Sequence, residues 1–509
     1  MKKQTCGTLP IPLMSTLYVL ALRPAVVSAE DLPQPVDQAA LNALVPEDRN
    51  ADFLHAFEAG DELSEVAFTA EHGVGARIGE GRRFTRVPRA DLNAPGEWAS
   101  HFPTRESGAN ATSCIACHNA PVANGAGDVA LNVIVDPAHT GDPSLYLERN
   151  TLPLFALGVP QKLAEEISTD LRAQRDAARG RACRVGEALA MLSSRGVDFG
   201  SLRVTRTGAE PCQLTVNSTD LAGIGADLVI RPFGWKGNHA TIRAFTRDAA
   251  HNEFGMQAVE LVGAEDRDHD GVTHELSVGD MTALTVYMAA LDRPVTTLEL
   301  AELGLVDLSD EQRTDIAAGE RLFGTVGCVA RHTPSMTIEE PVFREPSATP
   351  GYHDETFPDG SAPGSHGLMQ GQAIAFDLTA DQPNNRIETR DGKQRLLGAL
   401  ERDATGQAVA HWYTDFRRHD IGPGLADPDD PLGLGASMFL TRSLAGVGAT
   451  GPWLHDGRAT TLHEAISVHG GEAADSAVRY TRVPEAEQQQ IVAFLENLVI
   501  YKAPEDVAH

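Results

Sequence analysis

The stretch from Leu308 to His332 reads LSDEQRTDIAAGERLFGTVGCVARH. Ser309 is a capping-type residue, the spacing through Ile316 to Leu322 and Phe323 is helical, and glycines then turn the chain into Cys328. The pattern predicts a helix, a tight turn, a cysteine and, four positions after that cysteine, His332. Arg331 stands immediately before the histidine.

A fuller version of the same ending occurs upstream, in SCIACHNAP, which contains Cys114, Cys117 and His118. Two thiols three positions apart can add to the two vinyl groups of one haem, and the adjacent histidine then falls beneath the ring as the proximal iron ligand. Cys328 and His332 keep the spacing of the first cysteine and the ligand, with Arg331 where the second cysteine belongs. The two stretches together predict two haem c groups, with His118 and His332 as proximal ligands. A helix, a turn, attachment cysteines and a histidine open a cytochrome c domain. The expected fold is therefore mainly α, with two cytochrome c-like haem domains and long loop insertions.

A chain of 509 residues can bury more than one core. With 42 Lys and Arg against 71 Asp and Glu, its formal net charge of -29 repels nucleic-acid phosphates and anionic membrane surfaces. A basic redox partner suits such a surface better. At the N-terminus, MKKQT, the apolar IPLMSTLYVLALRPAVV and the small residues VSA before Glu30 read as a signal peptide over residues 1–29, which implies a periplasmic protein. No other stretch has enough unbroken apolar residues to cross a bilayer. Of six cysteines, Cys6 falls in that leader. Cys183 and Cys212 lie in loop-like sequence without metal-ligand spacing, and in an oxidising compartment they are expected to bond.

LTRSLAGVGATGPWLHDGRATTLHEAISVHGGEA, from Leu440 to Ala473, resembles the C-terminal domain of the di-haem cytochrome c peroxidase superfamily, and most closely its exported di-haem oxidoreductases. RPFGWKG at Arg231 to Gly237 and HDIGPGLAD at His419 to Asp427 extend the similarity over about residues 50 to 500. The departure is Arg331, where the family has cysteine; a cation there would pair with a haem propionate or raise the iron potential.

The resemblance implies further roles. His469 matches the position that supplies the second axial ligand of the C-terminal haem; the residues alone leave open a histidine that merely caps the helix before Gly470 and Gly471. His455 would shape the pocket, and His463 would be a solvated helix residue. Trp235 matches a tryptophan between the two haems, although a buried tryptophan can equally be core. The helix expected from His239 to Met256 would pass the first haem and bring His239, His251, Glu253 and Met256 to its distal side. A histidine there would close the iron, whereas Glu253 over an open iron would assist peroxide cleavage by proton transfer.

DRDHDGVTHELS, Asp266 to Ser277, alternates Asp266, Asp268 and Asp270 before Gly271 in the manner of a calcium loop. Ser277 stands where such a loop places its bidentate glutamate and Glu275 falls two positions early, so an acidic solvated loop is the competing reading. Residues 30–300 are expected to form the N-terminal haem domain, with a helical, disulfide-bearing insertion at 160–225. Residues 301–509 would form the C-terminal haem domain, interrupted by a Pro- and Gly-rich stretch from Thr333 to about Asp391.

The chemistry implied is that of a peroxidase-like di-haem oxidoreductase. It takes electrons from a donor protein or a small reductant and passes them to peroxide or another oxidant, with Trp235 and Glu253 as the catalytic candidates. Two alternatives stay open: oxidation of a protein or organic substrate through high-valent iron, and a non-catalytic periplasmic electron carrier.

Overall fold

Two helix pairs organise the chain. The structure is a computed structural model that describes residues 34–44, 49–78, 81–83, 109–128, 148–208, 210–268, 270–388 and 394–501. The signal peptide expected at 1–29 lies outside the described residues. Among the described residues, no helix is long and apolar enough to cross a membrane.

The first pair centres on Val278–Ala290, all thirteen of whose residues are buried. Ser277 caps it through a reciprocal pair with Asp280, and the hydroxyls of Thr282 and Thr285 bond back to the carbonyls of Val278 and Met281, so polar side chains enter the core satisfied. The helix Arg49–Glu65 lies against it so closely that a Cβ on Gly60 would sit 2.3 Å from the Ala283 carbonyl oxygen. Tyr287 and Met288 of the buried helix hold the loop that follows His118: Asn124 donates to the Tyr287 hydroxyl (2.9 Å) and Leu157 N–H to the Met288 carbonyl (3.0 Å).

The second pair is Asp310–Thr325 against Glu485–Glu496. Ser309 caps the first of these and Gln312 returns the bond. A Cβ on Gly319 would lie 1.8 Å from the Gln490 carbonyl oxygen, so only glycine lets the two helices meet. Around them Phe323, Val326, Tyr413, Leu462, Tyr480 and Phe494 form one apolar cluster, and Cys328 packs on its edge.

The expectation of a mainly α chain holds in part: helices take the larger share, but strands contribute seven small sheets among the described residues. The largest replaces half of the insertion at 160–225 that was expected to be helical. Gly158–Val185 is a helix, but Glu187–Ser194, Val197–Gly208 and Gln213–Asn217 form a three-stranded antiparallel sheet. Ala188, Ala190 and Leu192 are buried while Glu187, Leu189, Met191 and Ser193 face out, a period of two that only a strand satisfies. Arg195 and Gly196, both at positive φ, make the two-residue turn between the first two strands. Cys183 and Cys212 are bonded, and Cys183 sits in the last turns of the helix rather than in a loop. The stretch from Thr333 carries strands too, among them Met336–Ile338, Val342–Glu345 and Ile374–Asp377.

The helix expected from His239 to Met256 begins later and ends sooner. Thr241 caps Ile242–Ala249, and the chain then widens into a single π turn over Ala250–Phe254. Arg243 and Arg247 of this helix are buried and bond Glu260, Glu345 and Asp354, which ties it to the C-terminal half. All described residues belong to one compact unit that begins at Pro33.

Gly319→Ala is expected to cost about 1–3 kcal/mol by overpacking the helix pair behind Cys328, measured as a shift in denaturant midpoint. Cys183→Ser should cost about 3–4 kcal/mol of unfolding free energy, because the bond closes a loop with a sequence separation of 29.

Candidate functional site

The two cysteine–histidine turns are built alike. Cys114–Ala116 and Cys328–Ala330 are each a single 3₁₀ turn, which brings the histidine N–H back to the first cysteine: His118 to the Cys114 carbonyl (2.9 Å), His332 to that of Cys328 (3.0 Å). In each histidine Nδ1 meets a backbone carbonyl, Gly125 for His118 (3.2 Å) and Tyr413 for His332 (3.1 Å). An N–H at Nδ1 leaves the Nε2 lone pair outward, the tautomer that a metal needs. Burial pushes both rings down to about 4, with the Gly125 and Leu152 backbone opposing at His118 and His469 reinforcing at His332. Both are therefore neutral near pH 7. Burial also pushes the unbridged thiols up, Cys114 to about 12 and Cys117 and Cys328 to about 11. Protonated thiols are poor thiolate ligands but retain the S–H that adds to a vinyl group.

Beside the second turn lies a cavity of about 280 Å³, lined by Cys328, Arg331, His332, Trp235, Arg442 and His469 among others. Thr461 caps the short helix Leu462–Ser467, and His469 follows its end. Its Nδ1 meets the Ala465 carbonyl at 2.7 Å. The residue thus meets a carbonyl of its own helix and also lines the cavity. His455 is buried between Trp235 and Phe439, with ring centroids at 6.4 and 4.8 Å, and His463 is exposed and bonds the Tyr480 hydroxyl.

Trp235 lies on the cavity wall, its Nε1 donating to the Asn150 carbonyl (2.8 Å), and Asn150 N–H donates to the His455 carbonyl (2.7 Å). The strip from Asn150 to Leu152 thus runs from Trp235 to the backbone acting on His118. On that side the π turn brings Glu253 toward Cys117, whose thiol its charge raises, and the Glu253 carbonyl accepts from Asn110 and Ala111. His251 is buried in the same turn and Met256 just after it. His239 sits apart at the helix start, 3.4 Å from Asp248 and edge-on to Phe245.

The ligand atoms of Asp266, Asp268 and Asp270 lie within 4.8 Å of one another, the one cluster of this kind among the described residues. Asp266 also accepts from the N–H groups of Asp270 and Gly271. Ser277 is occupied as a helix cap and Glu275 accepts from Gln257, so an EF-hand's closing ligand is lacking.

Three groups make contacts that sequence reasoning did not foresee. His419 is buried between Asp415 (2.8 Å) and Glu472 (2.7 Å), and Glu472 also accepts from Asp420 N–H. Only the folded chain joins residues fifty positions apart. Arg331 donates to the Glu472 carbonyl, not to a carboxylate. Arg442 lies over the Trp235 ring at 5.8 Å and donates to the carbonyls of Pro232 and Gly234, yet its Nε is buried without a partner. Burial alone lowers its pKa to about 10, with no carboxylate compensating. A guanidinium enclosed without an acid is costly unless an anionic group joins it. Haem carboxylates are such groups, so the donor set of this cavity fits haem.

Residues 386–498 match the family model described as "Di-haem oxidoreductase, putative peroxidase". The resemblance to the di-haem oxidoreductases is thereby borne out over the segment that holds His419, Arg442, His455 and His469. No curated protein matches the chain. Among solved structures, hydrazine synthase from Kuenenia stuttgartiensis, pressurized with xenon, is 19% identical over 44% of this chain and 56% of that one, with a TM-score of 0.20. The chain thus spans a little over half of that protein's length. A MauG-like protein associated with microbial copper homeostasis is 16% identical over 52% of this chain and 68% of that one, with a TM-score of 0.25.

Arg442→Gln removes the uncompensated charge. Melting curves are expected to move in opposite directions, upward for the haem-free chain and downward for the haem-loaded one, each by the equivalent of about 1–3 kcal/mol.

Proposed function

We propose that this chain, whose residues 386–498 match a di-haem oxidoreductase family model, is an exported two-haem enzyme of peroxidase type. The observation that carries the reading is the pair His332 and His469, two neutral imidazoles fixed through Nδ1 on backbone carbonyls and lining one cavity beside Cys328. When bound, the two haems would supply one-electron redox capacity and a binding position for oxidant.

The chain's own residues divide the work. His332 and His469 together would close the second iron, which suits electron relay. Cys114, Cys117 and His118 would hold the first haem, and the π turn brings Glu253 to that side as a carboxylate able to hold and deliver a proton to a departing oxygen. Trp235, tied to Asn150 and hence to the strip that reaches His118, would shorten the path between the sites. Electrons would come from a donor protein or small reductant. Asp266, Asp268 and Asp270 would hold calcium, with water completing the shell that Ser277 does not.

A second reading, the electron carrier, is favoured by buried His251 in the same turn as Glu253, since an imidazole there would close the first iron as well.

Haem quantitation on the exported protein should give two per chain, and resting-state electron paramagnetic resonance should show one low-spin and one high-spin iron. A single haem sinks the proposal, and two low-spin irons in every redox state leave only the carrier. Glu253→Gln is expected to slow peroxide turnover about 10²-fold with the resting spectrum unchanged. Calcium should raise the melting temperature of the wild type and not that of Asp268→Asn; equal shifts would remove calcium from the assignment.

A further inference from the structure

We infer that Arg331 does by hydrogen bonding what a second thioether would do covalently: it ties the attachment turn to the loop that sets His469. The inference rests on the proposed occupation of this cavity by haem.

At Cys328 the S–H would add across one vinyl C=C of a bound haem, breaking the S–H bond and the C=C π bond and forming one C–S and one C–H bond with no net oxidation or reduction, while the other vinyl would keep its double bond. The turn then grips the ring at two points, the C–S bond and His332. Two points on one side leave a tilt about the line joining them. What removes the tilt is a rigid ligand from the opposite side, so the position of His469 relative to the attachment turn becomes the critical dimension.

The chain fixes that dimension through Glu472. Gly470 and Gly471 press the loop after His469 onto the strand Arg418–Asp420 and the residues just beyond it: a Cβ on Gly471, at φ +51°, would lie 2.2 Å from the Asp420 carbonyl oxygen, and one on Gly470 would lie 2.9 Å from that of Ile421. The Glu472 carboxylate accepts from Asp420 N–H (3.0 Å) and meets His419 Nδ1 (2.7 Å), which pins the loop on that side. On the other side the Glu472 carbonyl accepts from the Arg331 guanidinium. Arg479 works in the reverse sense, from the helix Ala474–Arg482 to the Val326 carbonyl just before the turn (2.9 Å). Of these two arginines it is Arg331 that reaches the His469 loop. Its Nε–H is buried without a partner, a cost that cysteine or alanine would not incur, so packing convenience does not account for the residue. Arg331 is a positioning residue, since it acts on the iron site through His469.

The test compares the haem-loaded wild type with Arg331→Ala, Arg331→Lys and Arg331→Cys, read by pyridine haemochrome spectra, low-temperature electron paramagnetic resonance and melting curves. The wild type should show an α band between those of a two-thioether and a non-covalent haem for one of its two haems. Arg331→Ala should keep that band but lose part of the low-spin signal of the second haem, and added imidazole should restore it. Arg331→Lys, which keeps a donor for the Glu472 carbonyl, should restore most of it unaided. Arg331→Cys should shift the band to the two-thioether position and stay low-spin, because a covalent bond replaces the clamp. An Arg331→Ala protein with the wild-type low-spin signal overturns the proposal. If that variant does not fold, a high-spin second haem in two-thioether Arg331→Cys overturns it instead. One haem per wild-type chain removes the occupation on which the inference rests and the inference with it, whereas two haems with an indifferent Arg331 overturn the clamp alone.

Discussion

An imidazole offers a metal one lone pair only if its other nitrogen has somewhere to put its proton. Much of this structure follows from answering that requirement three times without a carboxylate. His118, His332 and His469 each take a backbone carbonyl, from Gly125, Tyr413 and Ala465. A carbonyl carries no titratable charge, so burial keeps all three rings neutral where a carboxylate would favour the protonated, non-ligating form. The acceptors come from different sources: a loop just beyond the attachment turn, a distant segment, and the ring's own helix. Tyr413 holds φ +52°, a conformation uncommon for a non-glycine residue, at the place where its carbonyl must face His332.

The same reliance on backbone acceptors recurs among the cations. RPFGWKG gives the carbonyls of Pro232 and Gly234 to Arg442 and those of Lys236 and Gly237 to Arg418, so the motif works largely through its main chain. Gly234 and Gly237 both have positive φ, which lets the carbonyls turn toward the two arginines while Trp235 stays on the cavity wall. Lys236 is likewise held by the carbonyls of Asp427 and Ala436. In a chain of net charge -29, cations that could have met carboxylates are held by neutral groups beside this cavity. Of these cations Arg442 lines the cavity and is buried with no carboxylate acting on it, which makes the cavity receptive to an anionic occupant.

The legible part of this arrangement was the local part. Cys114 to His118, the Ser309 cap and the run into Cys328 are contiguous patterns whose chemistry depends on spacing, and the three alternating aspartates Asp266, Asp268 and Asp270 are too. The expectation of a helical insertion fails because the helical spacing of Leu163 to Gly180 gives way to EALAMLSS, whose alternation is that of a strand. The helix at Thr241 was seen but not its π turn, since widening by one residue leaves no compositional mark. Asp415, His419 and Glu472 could not be joined from sequence, because their bonding depends on two glycines letting one backbone approach another. Arg331 was noticed as an absence of cysteine; that it reaches a carbonyl is a fact of the tertiary structure.

The two turns differ in a way that the surrounding chain explains. A second thioether contributes orientation as well as attachment, and orientation is redundant where an opposed ligand is already held rigidly. Around Cys328 the opposed residue, His469, is locked by its own helix end, by close glycine contacts and by Glu472. Around Cys114 the residues brought to the other side belong to a π turn, a conformation that trades helical regularity for the placement of His251 and Glu253. A site meant to admit an oxidant cannot rely on a sixth ligand for rigidity, so it needs both of its cysteines. A closed relay site can do without one. On the proposed reading, Arg331 in the place of a second cysteine and the presence of His469 would be one structural choice, and the same choice would give the open chemistry to the turn that carries both thiols.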